Sequence, residues 1–413
     1  MRAARALAAA SVAVLLSACS GPEPDQAPRP EPGATSPSPD TPTPAEPALP
    51  SVGPSPSTGQ GPDGEEKSTD DPLAEWSVEH KVGQLLMVGV SVTSPQQVSH
   101  TSITRHHVGN VFLHGRSDAG VAATRDLVER YTGLVSQRTT RDTPLLVATD
   151  QEGGSVQVLS GPGFSTIPPA MEQASWQPAT LERRAERWGK ELADAGINLN
   201  LAPVMDLVPR SLAEGNPPIG YFDRNYGFTP RSVTSSANAF SAGQRAAGVE
   251  PVIKHFPGLG RVTENTDTSD GVTDTETAAD SPSVDVFRAG IDAGARFVMM
   301  STAQYDQMDP GTPASFSRVV VQDLLRDQLG FDGVVMTDDL SAAAQAQEWS
   351  PGERAVRAVG AGVDLVLASA DPSVVPEMAE ALVEKARTDP AFAQKVDLAA
   401  SRVLAAKSGL GAG

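Results

Sequence analysis

The run GFDGVVMTDDL, residues 330–340, decides the fold. Its centre, Gly333–Thr337, is short, apolar and β-branched, and it stops abruptly at Asp338 and Asp339. A strand that reads as continuously hydrophobic is covered on both faces, as strands of a parallel sheet are. Working outward in both directions, seven further runs have the same character: Leu85–Val90, Val108–His114, Pro144–Thr149, Ile197–Met205, Pro251–His255, Arg296–Ser301 and Val363–Ala368. Amphipathic stretches separate them, among them Leu181–Ala195, Val284–Ala293, Val319–Leu329 and Glu353–Ala361. Regular strand–helix alternation predicts an α/β architecture. Eight such units favour a closed (β/α)8 TIM barrel over an open doubly wound sheet.

The polar residues point the same way. Asp150 follows LLVAT, Asp206 follows LAPVM, Lys254 and His255 close EPVIKH, and Asp338 follows GVVMT. All lie at the carboxyl ends of predicted strands, where barrels place their sites. Chemistry spread over strands three, four, five and seven needs a ring to bring it together, because an open sheet binds only near its switch point. The barrel is expected to occupy residues 73–413 as a single catalytic domain. The stretch after the last strand reads as largely helical over Val374–Ala406, with no second domain expected.

The N-terminal part has a different composition. Arg2 and Arg5 precede the apolar stretch Ala6–Leu16, too short to span a bilayer but suited to a signal peptide. It runs into Leu16-Ser17-Ala18-Cys19, which resembles the lipobox of bacterial lipoproteins, and Cys19 is the only cysteine in 413 residues. No internal disulfide is possible, and the lone thiol sits where the processing site would be. The expectation is a signal peptide over 1–19, lipidation at Cys19, and a secreted protein anchored by lipid to the outer face of the cell membrane. Residues 20–72 hold 15 of the chain's 35 prolines, and no aromatic residue occurs before Trp76. Such a segment is expected to stay disordered and to act as a spacer. The net charge of −19 and pI near 4.7 argue against nucleic acid or anionic lipid as partners.

Several chemistries are excluded by inspection. The six histidines (His80, His100, His106, His107, His114 and His255) form no HExxH motif or metal-ligand cluster, so no metal is expected. There is no GxSxG nucleophile elbow and no Walker or Rossmann loop after the first strand, so no cofactor is implied. Carboxylates beside hydroxyl-gripping donors remain, and a pair of carboxyls flanking the scissile bond is the usual device of glycoside hydrolysis.

Five segments carry a resemblance: DQEGG (150–154), GINLNLAPVMD (196–206), IGYFDRNYG (219–227), KHFPGLG (254–260) and GFDGVVMTDDL (330–340). Together they resemble glycoside hydrolase family 3, specifically its single-domain bacterial β-N-acetylglucosaminidases, from about Trp76 to the C-terminus. The resemblance implies a retaining exo-β-N-acetylglucosaminidase that trims terminal N-acetylhexosamine from cell-wall fragments through a covalent glycosyl-enzyme. It implies Asp338 as nucleophile and Asp150, Lys254 and His255 as hydroxyl-binding groups. Arg224 matches the arginine after the family's Ile-Gly pair, although Tyr221, Phe222 and Asp223 intervene here. Asp206 lies near the site in the family, and orienting Lys254 is its alternative role. Trp188 reads as helix core, not as a sugar platform.

Four positions depart from the family pattern. Ser155 and Val158 stand where arginines usually follow DQEGG, and Leu259 replaces the second His of KHFPGHG. The loop that normally carries an Asp-Ser/Thr-His dyad as general acid/base reads NTDTSD, with Ser269 at the His position. No His occurs after His255, and the loop offers Glu264, Asp267, Asp270 and Asp274. Asp267 matches the dyad's Asp and is expected to act alone. A β-glucosidase or glycosyl phosphorylase of the same family and a non-catalytic sugar-binding lipoprotein are the competing readings.

Overall fold

The computed structural model describes residues 73–410. The expected Cys19 lipidation site, the signal peptide and the Pro-rich segment lie outside the described residues. Eight parallel strands close into a barrel: β1 Leu86–Ser91, β2 Asn110–His114, β3 Leu146–Thr149, β4 Leu199–Asn200, β5 Glu250–Phe256, β6 Phe297–Met300, β7 Val334–Asp339 and β8 Leu365–Ala368. They pair in chain order, and β1 returns to β8 with Leu86 opposite Val366. This is the (β/α)8 barrel that the eight apolar runs predict.

The core has two layers, set by the two-residue period of the strands. Met87, Phe112, Phe297, Met299, Val334, Met336, Leu365 and Leu367 belong to the inner cluster. Their chain neighbours Val88, Val111, Val298, Val335 and Val366 pack outward with the helices. Both sets are buried, so the strands read as unbroken apolar runs although their side chains alternate. Val403 and Ala406 of the last helix, Pro390–Ser408, join the inner cluster.

Three elements differ from expectation. Strand four is a two-residue pair where Ile197–Met205 was expected to be extended throughout. Pro203 has no N–H to give the ladder, and only an isolated bridge between Val204 and Lys254 resumes the pairing. The C-terminal helical stretch is two helices, Val375–Thr388 and Pro390–Ser408. Pro390 cannot continue the first, and Asp389 starts the second by accepting from the backbone N–H groups of Ala391 and Phe392. The segment Val319–Leu329 is helical as expected, but wound as a π-helix over Val319–Gln328. Trp188 is buried against Trp176 and Phe240, in keeping with a core role.

Candidate active site

The carboxyl ends of the strands open into a cavity of about 460 Å³. Asp150, Arg224, Lys254, His255, Asp267 and Asp338 all line it. Six of the seven expected catalytic and binding side chains therefore converge on one pocket. The seventh, Asp206, is fully buried behind its wall.

Immediately after β3, the chain makes a tight antiparallel turn in which Gln151–Gly153 pairs with Val156–Gln157. Gly153 takes φ 108°, and a Cβ there would sit 2.4 Å from the Pro168 carbonyl oxygen, so only glycine fits. The turn aims Asp150 into the pocket and buries Glu152 beneath it. Lys254, on β5, donates to Asp150 Oδ1 at 2.6 Å and lies 2.7 Å from Glu152 Oε1. Arg224 grips Glu152 with two bonds, Nε to Oε2 at 2.9 Å and Nη2 to Oε1 at 2.7 Å. Burial alone would raise the Glu152 carboxyl, but the Arg224 and Lys254 cations outweigh it and hold it at about 2. Burial likewise works against the Lys254 ammonium, and Asp150 and Glu152 more than offset it, so its pKa is raised. Both cations are thus fixed in place and charged before any ligand arrives.

Glu152 is the functional residue that sequence reasoning missed. It sits between a pocket aspartate and two glycines, where a carboxylate reads as turn composition. The available signal was chemical: two cations assigned to one site need more than the single carboxylate of Asp150.

Asp206 orients His255, not Lys254, which corrects the role considered from the sequence. Its Oδ2 lies 2.7 Å from His255 Nδ1, while Oδ1 accepts from the backbone N–H of Leu259 at 2.7 Å and of His255 at 3.3 Å. An ionised carboxylate can only accept, so Nδ1 carries the hydrogen in this pair and Nε2 is left for other partners. Lys254 is held by Asp150 and Glu152, with one of its three ammonium hydrogens left for the pocket, and Asp206 serves His255 on the neighbouring strand.

The two aspartates that end β7 divide their work. Asp338 lines the pocket, and its Oδ1 accepts from the backbone N–H of Asp339 at 2.8 Å. Asp339 also borders the pocket, yet its carboxylate is occupied with the Ser369 N–H at 2.7 Å and the Ser341 hydroxyl at 2.6 Å. It clamps the segment after β7 to the end of β8.

The loop after β5 supplies the last wall. It docks on the segment after β7: Ala344 N–H donates to the Asp267 carbonyl at 3.2 Å and Gln345 N–H to the Thr266 carbonyl at 3.1 Å. Of its four acidic candidates, only Asp267 lines the pocket. Glu264 and Asp270 are exposed away from it. Asp274 is buried and capped by Glu276 N–H, Thr277 N–H and the Thr277 hydroxyl. Asp267 remains accessible from solvent, but protein crowds its carboxyl on the pocket side. That loss of hydration, reinforced by the charge of Asp338, raises it from 3.8 to about 6.

Comparison with known proteins places this architecture. Residues 77–406 match the glycosyl hydrolase family 3 N terminal domain. A β-hexosaminidase from Stenotrophomonas maltophilia (strain K279a) is 32% identical over 313 residues, covering 72% of this chain and 87% of that protein. The crystal structure of a β-N-acetylhexosaminidase from Beutenbergia cavernae DSM 12333 is 62% identical with a TM-score of 0.80, covering 81% of this chain and 99% of that one. A family 3 β-N-acetylglucosaminidase from Paenibacillus sp. str. FPU-7 superposes with a TM-score of 0.74 at 31% identity, over 82% of this chain and 64% of that one. The barrel, the pocket at its strand ends and these likenesses together establish that the chain belongs to glycosyl hydrolase family 3 and is a glycoside hydrolase.

Proposed function

We propose that the protein is a retaining exo-β-N-acetylglucosaminidase that removes terminal β-linked N-acetylhexosamine from cell-wall fragments, working as a secreted lipoprotein. The observation that carries the reading is the pairing of Asp338 and Asp267 on one pocket, with the Asp267 carboxyl raised to about 6. Two carboxyls whose environments differ are what acid and nucleophile roles require. The names of the relatives, β-hexosaminidase and β-N-acetylhexosaminidase, support the sugar class.

In this mechanism, Lys254, His255, Arg224 and Asp150 hold the hydroxyls of the terminal sugar. Asp338 attacks the anomeric carbon as the bond to the leaving oxygen breaks, and Asp267 gives that oxygen its proton. The covalent glycosyl-enzyme is then opened by water, from which Asp267 takes a proton, and both carboxyls return to their starting states. Charged, pre-aligned donors spend no reorganisation at the moment of reaction, which is where such sites gain most of their rate.

The test is a panel of aryl glycosides run with and without phosphate, together with a slow-deacylating fluorinated glycoside. The N-acetylglucosaminide should be the best substrate and phosphate should not accelerate its turnover. The fluorinated sugar should add one sugar mass to the peptide containing Gly333–Leu340, and Asp338→Asn should lose several orders of magnitude in kcat. Labelling elsewhere, or near-normal turnover by Asp338→Asn, would count decisively against the assignment. Acceleration by phosphate would move the reaction to phosphorolysis.

A further inference from the structure

The only aromatic side chains among the large exposed hydrophobic residues of the described structure are adjacent: Tyr221, 67% exposed, and Phe222, 43% exposed. They stand on the short helical turn Gly220–Phe222. They are also residues that intervene between the Ile-Gly pair and Arg224, so they belong to this chain's departure from the family pattern.

The turn is tied to the pocket at both ends. Pro218 and Arg224 line the cavity, and Arg224 Nη1 donates to the Pro218 carbonyl at 2.6 Å, closing the loop on itself. Asn216 Nδ2 donates to the carbonyls of Leu259 and Val262, each at 2.8 Å, and Leu259 is a further wall residue. Tyr221 is three residues from each pocket-lining end of the loop. Its Cα therefore lies within roughly 10 Å of both by chain length alone, close enough to meet the ring joined to a sugar held inside.

The two rings have fixed mutual orientation, centroids 4.9 Å apart and planes at 88°. Phe222 packs edge-on to Tyr221 and props it. The turn itself has one seat, because a Cβ on Gly220 would come within 2.5 Å of the Ala213 carbonyl oxygen. A propped aromatic ring in water gains little for the fold. It suits the apolar C–H face of a pyranose, while the phenol oxygen can bond the hydroxyls at that ring's edge.

We propose that Tyr221, propped by Phe222, is a stacking platform for the sugar ring on the leaving-group side of the scissile bond. This rests on the exo-hydrolase reading: such a pocket takes the terminal sugar, so what meets the rim is the remainder of the glycan. The platform sets preference for an oligosaccharide over a simple aglycone and takes no part in bond breaking.

The experiment compares a β-1,4-linked N-acetylglucosamine trisaccharide with β-N-acetylglucosaminyl fluoride, whose leaving group has no ring. Tyr221→Ala should lower kcat/KM about threefold to tenfold on the trisaccharide and leave the fluoride unchanged, with Tyr221→Trp restoring the trisaccharide rate. Equal loss on both substrates, or no loss on either, overturns the platform. Calorimetry with Asp338→Asn provides a readout independent of turnover. Adding Tyr221→Ala should weaken trisaccharide binding and leave free N-acetylglucosamine binding unaltered. If the wild type cleaves neither substrate, the hydrolase reading fails on its own, and the binding comparison still decides the platform.

Discussion

At the residue scale, the site turns on the serine at position 269. In the proposed mechanism, with no His on this loop, protonation of the leaving oxygen falls to a carboxyl, and Asp267 is the only acidic residue of the loop that lines the pocket. With its pKa raised from 3.8 to about 6, half of it is protonated near that pH. For substrates with poor leaving groups, kcat/KM should fall about tenfold per pH unit above roughly 6, as the protonated fraction does. Asp267→Ala should cost about 10²–10⁴-fold on those substrates and far less on activated aryl glycosides, which need little protonation. Equal losses on both classes would move the role elsewhere. The shift has a stability consequence of definite sign. A carboxyl whose folded pKa is raised contributes its full stability at or below its ordinary 3.8, and loses it as pH rises through about 6. Asp267→Asn should therefore melt higher than wild type at pH 7. Among the neighbouring residues, Asp150, Arg224, Lys254, His255 and Asp338 were legible because strand ends and motifs mark them. Glu152 was hidden because its role lies in partners 72 and 102 positions away in the chain.

At the element scale, the eight strands were legible because parallel strands buried on both faces leave unbroken apolar runs. Their ends were less so. Strand four is cut short by Pro203, and the last helical stretch is split at Pro390, each a local loss of a backbone N–H that apolar periodicity does not register. Helix contact was also beyond the sequence. The helices Pro178–Asp194 and Pro230–Ala246 approach so closely at Gly243 that a Cβ there would sit 2.2 Å from the Glu182 carbonyl oxygen and 2.7 Å from the Glu186 nitrogen. Intrinsic propensity favours Ala over Gly by roughly 1 kcal/mol in a helix interior. Overlap with a neighbouring backbone, which cannot swing aside as a side chain can, outweighs that, and overpacking costs about 1–3 kcal/mol. Gly243→Ala should lower the urea midpoint with an unchanged m-value. A higher midpoint would show that the helix pair separates without cost.

At the scale of the whole molecule, the barrel uses its two ends differently. Asp150 just after β3 and side chains of β5 and β7 gather at the carboxyl mouth, while the last helix contributes Val403 and Ala406 to the interior cluster. The proposed catalytic and binding residues all lie between Asp150 and Asp338, far along the chain from Cys19. That separation makes anchoring and catalysis independently testable. If Cys19 is the lipidated residue, it is the sole thiol available, and no other cysteine can substitute. One acyl chain binds a membrane only marginally, so stable anchoring requires two or more chains, each visible as added mass on the N-terminal peptide. Cys19→Ala should shift the protein from the membrane fraction, or abolish its lipid mass, while the protein recovered keeps its kcat/KM within about twofold, since Asp338 and Asp267 are untouched. Wild-type protein found wholly in the medium without lipid mass would refute the anchor and leave the catalytic proposal standing. Loss of kcat/KM in correctly folded Cys19→Ala would instead reveal coupling between the N-terminal segment and the pocket.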